Sequence, residues 1–163
     1  MIGLLFALAA VQAGPVAATP SPQASPPPRL RYLPNWAERL EGKGWPFLDI
    51  DAANSVVLFA KVDTAHASPD HLRVLVRHEF RSDQAEPDPA AMHYHSEIIS
   101  QEVDCSSGRL RLLLDHRYRF QNLEGQQLIY RFTDSDWRQP EPGSFDEEVL
   151  QAACMRPGTT PAP

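Results

Sequence analysis

The sequence predicts an α+β domain in which a small antiparallel β-sheet of about five to six strands packs with one C-terminal helix. Three observations carry this prediction. Apolar and polar side chains alternate with period two through the middle of the chain, which is typical of strands that bury one face. Turn residues separate the alternating runs. A strong helix start follows the last of them at Ser144.

Composition restricts the class of protein. The chain has 163 residues and a mass of 18.2 kDa, which suits one domain with a core of useful size. Its formal net charge of −6 argues against a general nucleic-acid binder, which needs a basic surplus. Two cysteines are too few for a Cys-rich zinc fold or an iron–sulfur cluster. No apolar run reaches the roughly 18 residues of a transmembrane helix.

The first 18 residues are interpreted as a signal peptide. An uncharged apolar run from Ile2 to Val11 is followed by small residues, and Ala13 and Ala18 both end sequences that suit a signal peptidase. No Lys or Arg precedes the run, so either the amino terminus supplies the positive charge or the true start lies upstream. A buried N-terminal helix is the alternative, which the following prolines disfavour. This interpretation predicts export to the periplasm or the cell surface.

Two proline-rich segments bracket the predicted domain. Residues 19–32 are expected to form a disordered tether, because such a composition cannot bury apolar area. Residues 33–155 form the predicted domain, and residues 156–163 a disordered tail. No cysteine lies near the predicted cleavage region, so lipid anchoring through a lipobox is not expected.

Alternation assigns the strands in chain order. We expect a short edge strand in residues 45–51 and further strands in residues 55–62, 72–80, 93–105, 109–120 and 127–132. A β-bulge between Ile98 and Ile99 would reconcile the two phases of the fourth strand. The fifth strand is expected to place one set of residues on its buried face: Leu110, Leu112, Leu114, His116, Tyr118 and Phe120.

The last element is predicted to be a helix that ends near the second cysteine. Ser144 can cap it, and Glu147 stands three residues later, as in a capping box. Cys105 ends a strand and Cys154 ends the helix. In an oxidising compartment these two thiols should form a disulfide that pins the helix to the sheet. Two buried free thiols are the alternative, and a redox pair is disfavoured because the sequence has no C-x-x-C motif.

Several short motifs occur together in the second half of the chain. The run YHSEIISQEVDC is followed by GRLRLLLDHRYRF and later by DWRQPEPGSFDEEVLQAAC. Their order and spacing resemble the surface-adhesin protein E-like domain family over about residues 46–155. The matching positions are Tyr94, Ser96, Asp104, Cys105, Arg109, Trp137, Pro142, Gly143, Ser144 and Cys154.

This resemblance implies an antiparallel sheet with a C-terminal helix, closed by a disulfide between Cys105 and Cys154. It also implies secretion in a Gram-negative bacterium and, for the family's named member, adhesion to extracellular-matrix and serum proteins. That member is a lipoprotein, whereas this chain has no lipobox cysteine. The resemblance carries over no binding residue.

Arginine is the most distinctive residue type of the domain. The chain contains 13 Arg and two Lys, and guanidinium groups suit carboxylate, sulfate and phosphate. We predict that six arginines lie on one polar, exposed sheet face and form a candidate surface for binding an anionic partner. Cross-strand pairing with Glu79, Glu97, Glu102 and Asp115 is the competing interpretation and the favoured one, because like charges directly opposite one another would destabilise an unpaired ladder. The six predicted residues are Arg73, Arg77, Arg109, Arg111, Arg117 and Arg119.

Other clusters give weaker indications. His93 and His95 share one strand face and could bind a metal with His116 or Asp104, but partly exposed histidines are the favoured interpretation, so no metal is predicted. His78 and His116 fall on apolar faces as core histidines. No catalytic residue or cofactor is predicted, because the pairs Asp49/Asp51 and Asp134/Asp136 lie near turns.

The sequence therefore favours an exported, non-enzymatic, adhesin-like binding domain that recognises a protein or an anionic surface. A periplasmic accessory protein of an envelope complex is the alternative, and an enzyme ranks third. The expected partner is a protein, with a homodimer as a further option, and neither nucleic acid nor a transmembrane segment is expected.

Overall fold

The computed structural model describes residues 32–40, 42, 44–65, 71–86 and 92–155. The predicted signal peptide, residues 19–31 of the predicted tether and the predicted tail lie outside these residues. No helix within the described ranges is long and apolar enough to span a membrane. The elements in chain order are a 3₁₀ turn at Asn35–Ala37, β1 at Phe47–Ile50, β2 at Val56–Val62, β3 at Leu72–Gln84, β4 at Tyr94–Asp104, β5 at Arg109–Phe120, a second 3₁₀ turn at Gln121–Leu123, β6 at Glu124–Arg131 and α1 at Phe145–Cys154.

The six strands form one antiparallel sheet in the order β1-β2-β3-β4-β5-β6. Every strand pairs with the next strand in the sequence, so all connections are local. The predicted α+β class, the number of strands and the single C-terminal helix are confirmed.

The helix α1 packs on one side of the sheet, which we call the helix face. Its buried residues Val149 and Ala153 join a core cluster from four strands. Burying this apolar area is the main stabilising contribution on this side of the sheet. The strand residues of the cluster are Leu58, Val74, Val76, Val103 and Leu110.

The other side, which we call the back face, carries Phe59, Leu75 and Leu114, as the cross-strand register shows. Among the described residues, the N-terminal segment, which precedes β1 from residue 32 to residue 45, covers the part formed by β1 and β2 and reaches β3 at Arg77, whose guanidinium lies 5.9 Å from the Trp45 ring centroid. We call the rest of this face its uncovered part. In the covered part, Ala37 and Leu40 form a second buried cluster with Val57 and Phe59, flanked by Trp36, Trp45, Phe47 and Ile50.

The helix start resembles the predicted capping box with one difference. Ser144 Oγ accepts a hydrogen bond from Glu147 N at 3.3 Å, as expected. The reciprocal bond is displaced by one residue, because Glu147 Oε2 accepts from Gly143 N at 2.6 Å. At the other end of the helix, Cys154 is bonded to Cys105 across a sequence separation of 49 residues. The predicted disulfide is confirmed, and it fixes α1 to the end of β4.

The predicted β-bulge is in the wrong strand. β4 pairs with β3 in continuous register from Ser96 to Val103, so Ile98 and Ile99 simply face opposite sides. The irregularity lies in β5, where Ser100 faces Leu114 but Gln101 faces Leu112, which leaves Leu113 as the extra residue.

This bulge also overturns the predicted faces of β5. Leu110 and Leu112 lie on the helix face, whereas beyond the bulge Leu114, His116 and Tyr118 lie on the back face. Asp115 and Arg117 consequently lie on the helix face. Phe120, which was expected on the buried face, is 53% exposed.

Candidate binding surface of the sheet

The uncovered part of the back face carries rows of side chains that run across the strands. Arg73, Glu102 and Arg111 form one row across β3, β4 and β5. The next row has an apolar middle and ends in Arg131: Leu75, Ser100, Leu114 and Arg131. Lys61 extends this row to β2, where the N-terminal segment engages it, because its Nζ lies 4.0 Å from the Trp45 ring centroid. Cross-strand neighbours on one face lie about 5 Å apart, so these rows form a continuous surface.

The arginines of the first row differ in their pairing. Arg111 donates from Nε to Glu102 Oε2 at 2.8 Å and stacks 4.9 Å from the Trp137 ring centroid, yet it stays 37% exposed. Arg73 Nε is buried and has no hydrogen-bond partner in the described part of the chain. A row with two guanidinium groups and one carboxylate has a surplus of positive charge.

Exposed arginines border the rows. Arg109 ends the back face beside the Asp104 turn, and Arg131 ends the second row on the outer strand. Asp104 is committed within its turn, where the hydroxyls and backbone N–H groups of Ser106 and Ser107 donate to it. These hydrogen bonds hold the pKa of Asp104 well below its usual range.

Arg77 lies on the same face but is not available for binding. The N-terminal segment covers it, so it is only 2% exposed, and its Nε donates to Glu79 Oε1 at 2.7 Å. Its guanidinium also lies 5.1 Å from the Phe59 ring centroid. Burial raises the pKa of Glu79 while Arg77 opposes this shift. The prediction that Arg77 is exposed is therefore wrong. Its partner Glu79 lies on the same strand, and the cross-strand pairing named as the competing interpretation is found between Arg111 and Glu102.

Arg117 lies on the helix face because of the bulge at Leu113. Its Nε donates to Asp115 Oδ2 at 2.8 Å, and its Nη1 donates to Glu86 at 2.5 and 2.6 Å. The Nε also lies 3.6 Å from Glu97 Oε2. The rings of Tyr94 and Tyr130 lie 4.9 and 4.8 Å from the guanidinium. Arg117 is thus a structural ion-pair centre rather than part of the back face.

The carboxyl group of Asp115 is unusual within that centre. Burial and the nearby charge of Glu97 raise its pKa to about 6, although Arg117 acts in the opposite direction. Its Oδ1 is buried and has no hydrogen-bond partner among the described residues. Asp115 therefore takes up a proton more readily than an ordinary aspartate.

The predicted pair of histidines faces an aspartate. His95 Nε2 lies 2.6 Å from Asp83 Oδ1, and His93 Nδ1 lies 3.8 Å from Asp83 Oδ2. Together with Arg119 and Phe120 they line a cleft of about 210 Å³. Within the described ranges, no group of three His, Cys, Asp or Glu residues is arranged to hold a metal ion. The alternative ligand His116 lies on the back face, and Asp104 is bound in its turn.

Of the six predicted arginines, the structure brings Arg73, Arg109 and Arg111 together on an uncovered face. It removes Arg77 by burial, and it places Arg117 and Arg119 away from that face. Arg131 belongs to the surface but was not among the six, and Lys61 lies at its border against Trp45. The sequence does indicate the face of Arg131, because Ile129 and Arg131 alternate with Tyr130 along the strand. The face of Lys61 is fixed by the pairing of β2 with β3, which the local sequence does not specify.

The candidate acid pairs have local roles. Asp51 accepts hydrogen bonds from Ser55 N, Ser55 Oγ and Val56 N at 2.6 to 2.7 Å. Although partial burial acts in the opposite direction, these bonds lower the pKa of Asp51. Asp134 and Asp136 are exposed beside a turn.

Comparison with known proteins identifies the family. Residues 45–155, more than half of the chain, match the family described as surface-adhesin protein E. No curated protein matches the chain significantly. The structure is similar to that of protein E from non-typeable Haemophilus influenzae, with a TM-score of 0.50, 12% identity and coverage of 68% of this chain and 75% of that one.

Two further structures of Haemophilus influenzae protein E are similar. One has a TM-score of 0.48 at 12% identity and covers 66% of this chain and 83% of that one. The other, crystal form II, has a TM-score of 0.49 at 14% identity and covers 68% and 87%. The match over residues 45–155 confirms the resemblance seen in the sequence motifs, and the chain belongs to the surface-adhesin protein E family.

Proposed function

We propose that this protein is an exported, non-enzymatic, adhesin-like domain that binds an acidic surface of another protein through the uncovered part of its back face. The observation that carries the proposal is the row of Leu75, Ser100, Leu114 and Arg131, which lies beside Arg73 and Arg111. Membership of the surface-adhesin protein E family supports the adhesin-like role.

The charge distribution supports an acidic partner. The whole chain carries a net charge of −6, so a local surplus of guanidinium groups stands out against an acidic background. Such a surface steers an acidic partner into one orientation, and the effect weakens as salt screens it over about 8 Å. The apolar middle of the row supplies area that becomes buried in a complex.

Export supports the same function. The apolar run from Ile2 to Val11 fits a signal peptide, and the Cys105–Cys154 disulfide fits an oxidising compartment. Mass spectrometry of the mature protein tests this part of the proposal. We expect residues 1 to about 18 to be missing, and an intact Met1 in a cytoplasmic fraction would contradict export.

Charge reversal tests the binding surface. Arg109→Glu combined with Arg111→Glu should weaken binding to immobilised extracellular-matrix and serum proteins about tenfold or more at low salt and flatten the salt dependence. Arg119→Glu is the matched control, because it reverses an exposed arginine that lines the cleft beside His93 instead. Equal binding by the double variant and the native domain, with both folded, would place the binding surface elsewhere.

A further inference from the structure

The outer edge of β6 carries a concentration of exposed hydrophobic side chains. Seven large hydrophobic residues are exposed among those described, and four of them lie on β6 or beside its ends: Phe120, Ile129, Tyr130 and Phe132. Soluble domains normally guard an edge strand with charge, proline, a bulge or short length. The opposite edge strand, β1, has four residues, whereas β6 has eight and carries charge only at its ends, on Glu124 and Arg131.

The backbone of this edge offers hydrogen-bonding groups at alternate residues. Phe132 N donates to Leu113 O at 3.0 Å, so Phe132 turns its backbone groups toward β5. The register from Arg131 to Gln127 is continuous, so alternation turns the N–H and C=O groups of Gln127, Ile129 and Arg131 outward. These are the groups that another strand would pair with.

The exposed side chains of β6 determine which side chains an added strand would need. Arg131 is exposed and has no carboxylate partner among the described residues, and Ile129 lies on the same face and is 49% exposed. An added strand would place alternate side chains opposite Arg131 and Ile129. Charge complementarity requires an acidic residue opposite Arg131, and apolar contact favours an aliphatic residue opposite Ile129.

A second copy of β6 does not meet this requirement. Symmetric antiparallel pairing of the continuous part of this edge joins outward-turned residues to outward-turned residues, so Arg131 would meet Gln127, Ile129 or Arg131 of the other copy. The acidic residue of β6, Glu124, lies beyond the register shift next to Gln127, outside this continuous part. Arg131 would stay without an acidic partner in such a dimer.

We propose that the outer edge of β6, which pairs with no further strand among the described residues, binds an extended segment of a partner protein as a seventh strand, with an acidic side chain opposite Arg131 and an aliphatic one opposite Ile129. The inference rests on the proposed function, since the same partner would continue over the adjoining back face. Backbone pairing supplies affinity in this mode, and the alternate side chains supply specificity.

A designed peptide tests this inference directly. The capped peptide acetyl-TEVVVTT-amide, laid antiparallel, can place its Glu opposite Arg131 and a Val opposite Ile129. We expect it to slow amide hydrogen exchange at Gln127, Ile129 and Arg131. Gln127→Pro removes one outward N–H without affecting the β5 ladder and should weaken peptide binding about tenfold, whereas the matched Gln127→Ala should bind normally.

A charge exchange gives a second readout if the proline variant does not fold. Arg131→Glu should lose the Glu peptide and bind acetyl-TKVVVTT-amide instead. Unchanged amide exchange in the native domain at millimolar peptide, equal binding by the Gln127→Pro and Gln127→Ala variants, or association of β6 with a second copy would overturn the inference. If Arg109→Glu with Arg111→Glu abolishes binding to a matrix protein while Gln127→Pro does not alter it, the edge site fails and the proposed function stands.

Discussion

Burial and pairing at individual residues decide which arginines remain available for a partner. Arg77 and Arg117 carry the same charge as Arg109, but they are held by Glu79 and by the Glu86–Asp115 pair. Such partly buried ion pairs are structural, and removing one partner is costly because it leaves the other charge uncompensated. An arginine is a binding candidate here where it stays exposed on the back face, as Arg109 does and as Arg111 does at 37% exposure despite its bond to Glu102.

Asp115 gives a prediction at this scale. Its pKa of about 6 in the folded state lies above the ordinary value of 3.8, so the folded protein binds a proton in this window that the unfolded chain does not. The contribution of Asp115 to stability should therefore rise as pH falls from about 6 toward 4. The free energy of unfolding of the native protein relative to that of Asp115→Asn should therefore rise by about 1–3 kcal/mol between pH 7 and pH 4, as measured by urea unfolding.

Asp104 is the matched control, because its pKa is shifted in the opposite direction to that of Asp115. Its lowered pKa means that its contribution to stability is present above the ordinary aspartate pKa and is lost in acid. Asp104→Asn should destabilise the protein at pH 7. If the stability changes caused by Asp104→Asn and Asp115→Asn depended on pH in the same way, the environments assigned to the two carboxyl groups would be wrong.

At the scale of elements, the sequence predicted the strands and the helix because each has a strong local signal. Alternation located β3 and β5, and Ser144 with Glu147 located the start of α1. The bulge in β5 could not be located from the sequence, because residues 112–114 are all leucine. A run of identical apolar residues does not show where the alternation between the two faces of the strand changes. Two of the six predicted arginines, Arg117 and Arg119, were therefore assigned to the wrong side of β5.

The cap of α1 gives a prediction at this scale. Ser144→Ala removes the acceptor for Glu147 N and should cost about 1 kcal/mol of unfolding free energy. Ser144→Asp is the matched control, since Asp also caps helices and should retain stability. Equal stability of the Ala and Asp variants in urea unfolding would show that the cap contributes little.

The disulfide connects the elements to one another. Because it joins the end of β4 to the end of α1 across 49 residues, Cys154→Ala should lower the unfolding free energy by about 2–5 kcal/mol. The unfolding transition should shift while the sheet remains. Two free thiols titrated in the folded, unreduced protein would contradict this account.

At the scale of the whole molecule, the two faces of one sheet have different roles. The helix and the disulfide cover the helix face, while among the described residues the N-terminal segment covers the part of the back face formed by β1 and β2 and reaches β3 at Arg77. Which part stays open depends on packing between distant segments, and strand periodicity does not encode it. The sequence therefore predicted a polar face that carries arginines, and the structure was needed to define its extent.

The most direct test of the central claim is an NMR titration of the arginine side chains with a matrix or serum protein that the native domain binds. We predict that the Nε–Hε signals of Arg73, Arg109 and Arg111 shift on binding, because these residues lie on the uncovered back face. The signals of the buried Arg77 and of Arg119 should stay in place. Shifts confined to Arg119 and the cleft beside His93 would contradict the account.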